Sequence, residues 1–198
     1  MKKYQLALAL AFALPFPIEV MAADVQISVN PQNSLLDLST SVDSLFIDLV
    51  GSYTGSGNLL GGAVSLSFNP SVLQVVDVML KAPQDIDGMT GVIDNVLGTI
   101  TGIGFSSFDG VSGTFTLATV ELQGVGAGTS QLNVTDGKDL IFAWVNDVPP
   151  FGEEVNFFGV SGFATVTAVP EAESWAMLLA GFGLVGFAAR RRVRSAMA

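Results

Sequence analysis

The chain has no cysteine and no histidine among its 198 residues. Without cysteine, no disulfide staples an exported domain, so stability has to come from a buried apolar core. An apolar content of 49% supplies one. Without histidine, the commonest general base and the commonest metal ligand are both missing. Basic residues are scarce as well, eight Lys plus Arg against eighteen Asp plus Glu. Six of the eight lie at the two ends (Lys2, Lys3, Arg190, Arg191, Arg192 and Arg194), which leaves residues 24–168 with Lys81 and Lys138 against fifteen carboxylates. A surface of that sign repels nucleic acid, whose affinity for proteins comes from Lys and Arg. It suits solubility outside the cell, or a hard divalent ion such as Ca²⁺ that takes oxygen ligands. An amphipathic helix of ordinary length is also lacking between Asp24 and Ala168.

What fills that middle stretch reads as β. Val25-Gln-Ile-Ser-Val29 alternates apolar and polar, as a half-buried strand does. Leu45–Val50, Ala63–Phe68, Val72–Leu80, Ile103–Phe108, Thr114–Leu122, Gln131–Thr135, Leu140–Val145 and Val160–Thr167 follow, with a weaker strand over Val92–Ile100. The turns between them carry Gly, Asn, Asp and Pro: Gly51–Gly62, Asn69-Pro70, Lys81–Gly91, Gly124–Gly128 and Asp136-Gly137. About nine short strands with such punctuation predict an all-β fold, a jelly-roll β-sandwich over residues 24–168.

Both ends read as targeting segments. Lys2 and Lys3, the apolar run Leu6–Phe16 and the small residues Ala22 and Ala23 form a secretory signal peptide over residues 1–23. At the other end, Trp175–Ala189 is uncharged and is followed by arginines at 190–192 and 194. As a helix it spans about 22 Å, short of a hydrocarbon core of about 30 Å, with Trp175 and snorkelling arginines extending its reach. The arginines mark the cytoplasmic side and place the preceding domain outside the inner membrane.

This tail, Val169-Pro170-Glu171-Ala172 followed by the apolar helix and Arg190-Arg191-Arg192, resembles a PEP-CTERM sorting signal. The third position of the usual Pro-Glu-Pro tripeptide is here Ala172. The resemblance implies a membrane protease of the exosortase type as processing partner, and delivery to the cell surface or extracellular matrix. A second resemblance lies in Gly62-Ala-Val-Ser-Leu-Ser-Phe-Asn-Pro-Ser-Val-Leu-Gln-Val-Val-Asp-Val78, with Gly113–Leu122 and Gly128–Leu132. These are similar to the early and late strands of cohesin domains. That implies a non-catalytic module binding a dockerin-like protein; certain carbohydrate-binding modules share the sandwich, so an extracellular polysaccharide is the alternative partner.

Chemistry-bearing residues are few. Asp85-Ile86-Asp87-Gly88 opens like a Ca²⁺ loop, but the position that closes a twelve-residue loop with Glu holds Val96, so the plainer reading is a solvated turn. Sugar stacking needs exposed rings; Tyr53 in its Gly-rich stretch is the expected contact, whereas Trp144 is expected in the core. Asp147, Glu153 and Glu154 surround Pro149-Pro150-Phe151, yet nothing in their spacing sets a carboxylate pair for glycoside hydrolysis. No catalytic residue is assigned, and the chain is expected not to be an enzyme.

Overall fold

The computed structural model describes residues 25–38, 44–137, 143–149, 152–167 and 177–182. The signal peptide over 1–23 and the sorting residues Val169, Pro170, Glu171, Ala172, Arg190, Arg191 and Arg192 lie outside the described residues. Residues 177–182 are helical, with Met177, Leu178, Leu179 and Phe182 exposed. No helix among the described residues is long and apolar enough to cross a membrane.

Twelve strands form among the described residues: β1 (Val25–Asn30), β2 (Asn33–Asp37), β3 (Ser44–Tyr53), β4 (Leu59–Ser67), β5 (Leu73–Leu80), β6 (Asp87–Asp94), β7 (Thr99–Val111), β8 (Gly113–Gly124), β9 (Gly128–Asp136), β10 (Val145–Asn146), β11 (Phe157–Val160) and β12 (Gly162–Thr167). They make two sheets. One has five strands in the order β11-β1-β3-β8-β5; the other has seven, ordered β2-β12-β9-β4-β7-β6 with β10 added beside β4. Alternation decides which residues fill the space between them. In β1, Val25, Ile27 and Val29 are buried while Gln26 and Asn30 face out, and β12 buries Gly162, Ala164 and Val166 in the same rhythm. Ile27, Ile47, Leu49, Leu66, Leu73, Ile103, Phe105, Leu117 and Leu122 are fully enclosed in one core built from both sheets.

The chain crosses between the sheets repeatedly, and two of the crossings fall at matching places. It leaves β1 for β2 across the Asn30–Pro31 corner, and it leaves β11 for β12 at Ser161. The two switching segments run side by side, so β1 pairs in parallel with β11 and β2 in parallel with β12. These pairings join residues more than a hundred positions apart, which no local pattern announces.

The sandwich is as expected, but it has twelve described strands in place of about nine, and three local readings are corrected. The expected loop Gly51–Gly62 shrinks, because Gly51–Tyr53 continues β3 opposite β8 and Leu59–Gly62 already belongs to β4. The expected loop Lys81–Gly91 holds the first half of β6, which pairs with β7 from Asp87↔Ser106 onward. The weak strand 92–100 is in fact the end of β6, a turn over 95–98 and the start of β7. In each case cross-strand hydrogen bonding overrides glycine's poor strand propensity.

Candidate functional site

Tyr53 is not an exposed ring. It is the last residue of β3, only 3% exposed, and its hydroxyl donates to the Ser56 carbonyl at 2.6 Å. The same oxygen accepts from Asn146 Nδ2 at 3.3 Å. Asn146 Oδ1 in turn accepts the N–H of Glu153 at 2.8 Å and of Val148 at 3.2 Å. A buried phenol and a buried amide therefore hold the segment around β10 against the end of β3. Trp144 is enclosed beside them, stacked on Phe157 with ring centres 5.7 Å apart and edge-on to Phe105. Asp147 Oδ1 accepts the Asn58 N–H at 2.7 Å, so this carboxylate is also a structural acceptor. Phe151 lies outside the described residues.

Asp85 and Asp87 stand just before and at the start of β6. Asp85 Oδ2 accepts the Phe108 N–H at 2.8 Å. The Ser107 hydroxyl, and next the Phe108 N–H, hold its carboxyl below the ordinary carboxylate range. Asp87 Oδ1 accepts the N–H of Gly88. Among the described residues no group of three or more carboxylates is gathered that would hold a metal ion. The Asp85 carboxylate here does the work of a strand pairing, extending the β6–β7 ladder by one rung.

The feature that stands out is the β6–β7 pair itself. Its residues carry a run of exposed apolar side chains: Ile86, Val92, Val96 and Leu97 with Phe108, the last 76% exposed. Beside Val92 lies a hollow of about 390 Å³ lined by Gly88, Met89, Thr90, Gly91, Val92, Thr101 and Gly102. Two of the lining glycines are paired. Gly91 and Gly102 sit opposite each other in the ladder, between the Thr90↔Ile103 and Val92↔Thr101 pairs, and both have left-handed backbone, with φ of 81° and 78°. A Cβ on Gly91 would press on the core, 2.9 Å from Ile100 Cγ2 and from the Thr101 carbonyl, whereas one on Gly102 would meet Met89 Cε alone, at 3.4 Å. The missing side chain of Gly102 is the one that leaves room beside Met89.

Its far end is pinned by a residue that strand patterns do not pick out. Asn95, in the β6–β7 turn, donates Nδ2 to the Val75 carbonyl at 3.0 Å and accepts the Val75 N–H at 2.8 Å through Oδ1. The amide thus completes the edge of β5 where that strand bulges between Val75 and Asp77. Asp94 Oδ1 accepts the N–H groups of Val96 and Leu97 at 2.9 Å and shapes the same turn. The signal available in the sequence was the combination Asp94-Asn95 with Gly98 between apolar flanks, which marks a hairpin turn but says nothing about Val75.

On the described strands the exposed aromatic side chains do not form a row. Phe46 is on β3 and Phe158 on β11, separated by β1; Phe108 is on β7 and Phe163 on β12, separated by β4 and β9.

The sandwich has the fold of cohesin modules. It is similar to the seventh ScaB type I cohesin of Pseudobacteroides cellulosolvens, with a TM-score of 0.52 at 9% identity, covering 74% of this chain and 94% of that one. It is similar also to the third ScaC cohesin of Acetivibrio cellulolyticus, solved with the ScaB dockerin, with a TM-score of 0.54 at 10% identity over 73% of this chain and 99% of that one. A cohesin–dockerin complex from Clostridium thermocellum gives 0.50 at 8% identity over 72% and 99%. Residues 168–192 match the model of the PEP-CTERM protein-sorting motif. No curated protein matches the sequence.

Proposed function

We propose that this chain is an exported, non-catalytic binding module, sorted to the cell surface or extracellular matrix, that holds a protein partner on the β6–β7 ribbon. The observation that carries the reading is the open hollow lined by Met89 and the exposed Val92, on a strand pair that also exposes Ile86 and Phe108 at its other end. Exposed apolar surface beside a hollow marks interaction sites on soluble domains. The likeness to cohesins supports a dockerin-like protein as partner by analogy of fold, and the sorting motif supports delivery by an exosortase-type protease acting at Val169–Ala172, with Arg190, Arg191 and Arg192 as the cytoplasmic stop. A polysaccharide would need neighbouring aromatic platforms, and the exposed phenylalanines stand on strands that are not neighbours.

The test measures binding of the full chain to a panel of dockerin modules and, in parallel, to a panel of extracellular polysaccharides. Binding to a protein that falls at least about tenfold with Val92→Lys supports the reading, since a charge in an apolar contact costs on the order of that factor. Binding to a polysaccharide that is indifferent to Val92→Lys overturns it.

A further inference from the structure

We infer that the open edge of β6 receives an extended, cationic segment of the partner as an added strand. The inference rests on the protein-binding reading above and states how the partner is held. Among the described strands β6 is last in the seven-stranded sheet and pairs with β7 alone, so its other edge has no partner strand, although the Gly88 N–H is taken by Asp87 Oδ1. Proteins guard such edges with charge, Pro or bulges; Asp87-Gly-Met-Thr-Gly-Val-Ile-Asp94 has no Lys or Pro, and its guards are the two aspartates, which admit a strand of opposite charge. The edge of β5 at the same side of the sandwich is treated differently, because Asn95 satisfies Val75 there. The hollow beside Met89, Gly91 and Gly102 is lined mostly by β6 itself, and in strand addition such pockets take alternate side chains while the main chain supplies hydrogen bonds.

Charge selects the occupant. Asp85, Asp87, Asp94 and Asp109 surround the ribbon, and Lys81 is the one basic residue among the described residues. A second copy of the chain is disfavoured, since a twofold pairing about the midpoint of Thr90 and Gly91 sets Asp87 directly against the other copy's Asp94. Like charges opposed across a ladder destabilise it. An extended segment alternating Lys or Arg with aliphatic residues brings cations for those carboxylates and aliphatic side chains for the exposed apolar residues of the ribbon.

The probe is a labelled nine-residue peptide alternating Lys and Val, measured by fluorescence anisotropy against the full chain in detergent. Two companion peptides have Glu in place of Lys, or N-methyl groups at alternate residues along one edge. The expected result is binding of the Lys peptide that weakens with salt, no binding of the Glu peptide, and at least about a tenfold loss on N-methylation, as for one to two net hydrogen bonds. Asp87→Asn with Asp94→Asn, both of which keep their acceptor oxygens, is expected to weaken the Lys peptide about threefold or more at low salt. Equal binding of methylated and unmethylated peptides overturns strand addition. If Val92→Lys then abolishes both, the ribbon holds protein by side chains alone, and the protein-binding reading survives. Absence of peptide binding also overturns the inference; if a polysaccharide binds instead, the wider reading falls with it.

Discussion

Two regions of this molecule are rich in aromatic and aliphatic residues, and they solve the same problem in opposite ways. Around β10, Trp144 and Tyr53 are closed in with Phe157 half-buried against them, and the Tyr53 hydroxyl and Asn146 amide find partners, while the Trp144 Nε1–H has none among the described residues. Along β6 and β7, Val92, Leu97 and Phe108 stay in water, and a hollow stays open beside Val92. Burial with most hydrogen bonds made is what a folding core requires, whereas exposed apolar surface costs solubility. The first region is therefore a structural corner, and the second is the surface to which we assign a partner.

The largest effect is expected from attacking the closed region. A side chain on Gly62 has no room, since its Cβ would lie 2.1 Å from the Trp144 ring. Gly62→Val is expected to expel the indole and cost roughly 3–5 kcal/mol, comparable to deleting a buried aromatic, read as a drop in the urea midpoint. A midpoint within error of wild type would mean that the corner around Trp144 is not packed as described. Next comes Asn146→Ala, which strips partners from Tyr53 and from the N–H groups of Val148 and Glu153. A loss of about 2–3 kcal/mol is expected, with faster hydrogen exchange over residues 144–155 as its local signature.

Changes on the open ribbon are expected to be milder. Asn95→Ala leaves both backbone groups of Val75 without their side-chain partner and is expected to cost about 1.5 kcal/mol. The exchange of amides 94–98 would rise while that of 144–155 stays unchanged, and equal changes in both segments would erase the distinction between the regions. The smallest effect concerns Asp85. Its folded pKa is depressed by Ser107 and Phe108, so its stabilising contribution is full above the unfolded value of about 3.9 and fades as pH falls through the folded value. Asp85→Asn should lower the urea midpoint slightly at neutral pH, and the gap from wild type should close on acidification. A gap that widens toward low pH would contradict the hydrogen-bonded carboxylate.

Local patterns carried the strands that bury alternate side chains. β1, β5, β8 and β9 were legible because Val, Ile and Leu recur every second residue between Gly, Asn and Pro turns. β2 and β11 were not, because Asn33–Asp37 and Phe157–Val160 are short and owe their extension to parallel partners far along the chain. Tyr53 was misplaced for a related reason: glycines around it signal a loop, while pairing with β8 and the Asn146 amide draw it inward. Asp85 and Asp87 were legible as loop carboxylates, but what each one bonds depended on Phe108 and Gly88 coming within reach.

The sequence by itself determined the all-β class, the exclusion of disulfide and histidine chemistry, the acidic surface and the sorting motif at the C-terminal end. Each depends on composition, on period-two alternation or on contiguous residues, and none needs a distant contact. Only the tertiary structure decided which apolar residues lie inside. Val92 and Phe108 are as apolar as Ile27, and they stay exposed because no described element packs over them, whereas Ile27 lies between the two sheets. Burial is a property of neighbours brought together by folding, and strand order sets those neighbours.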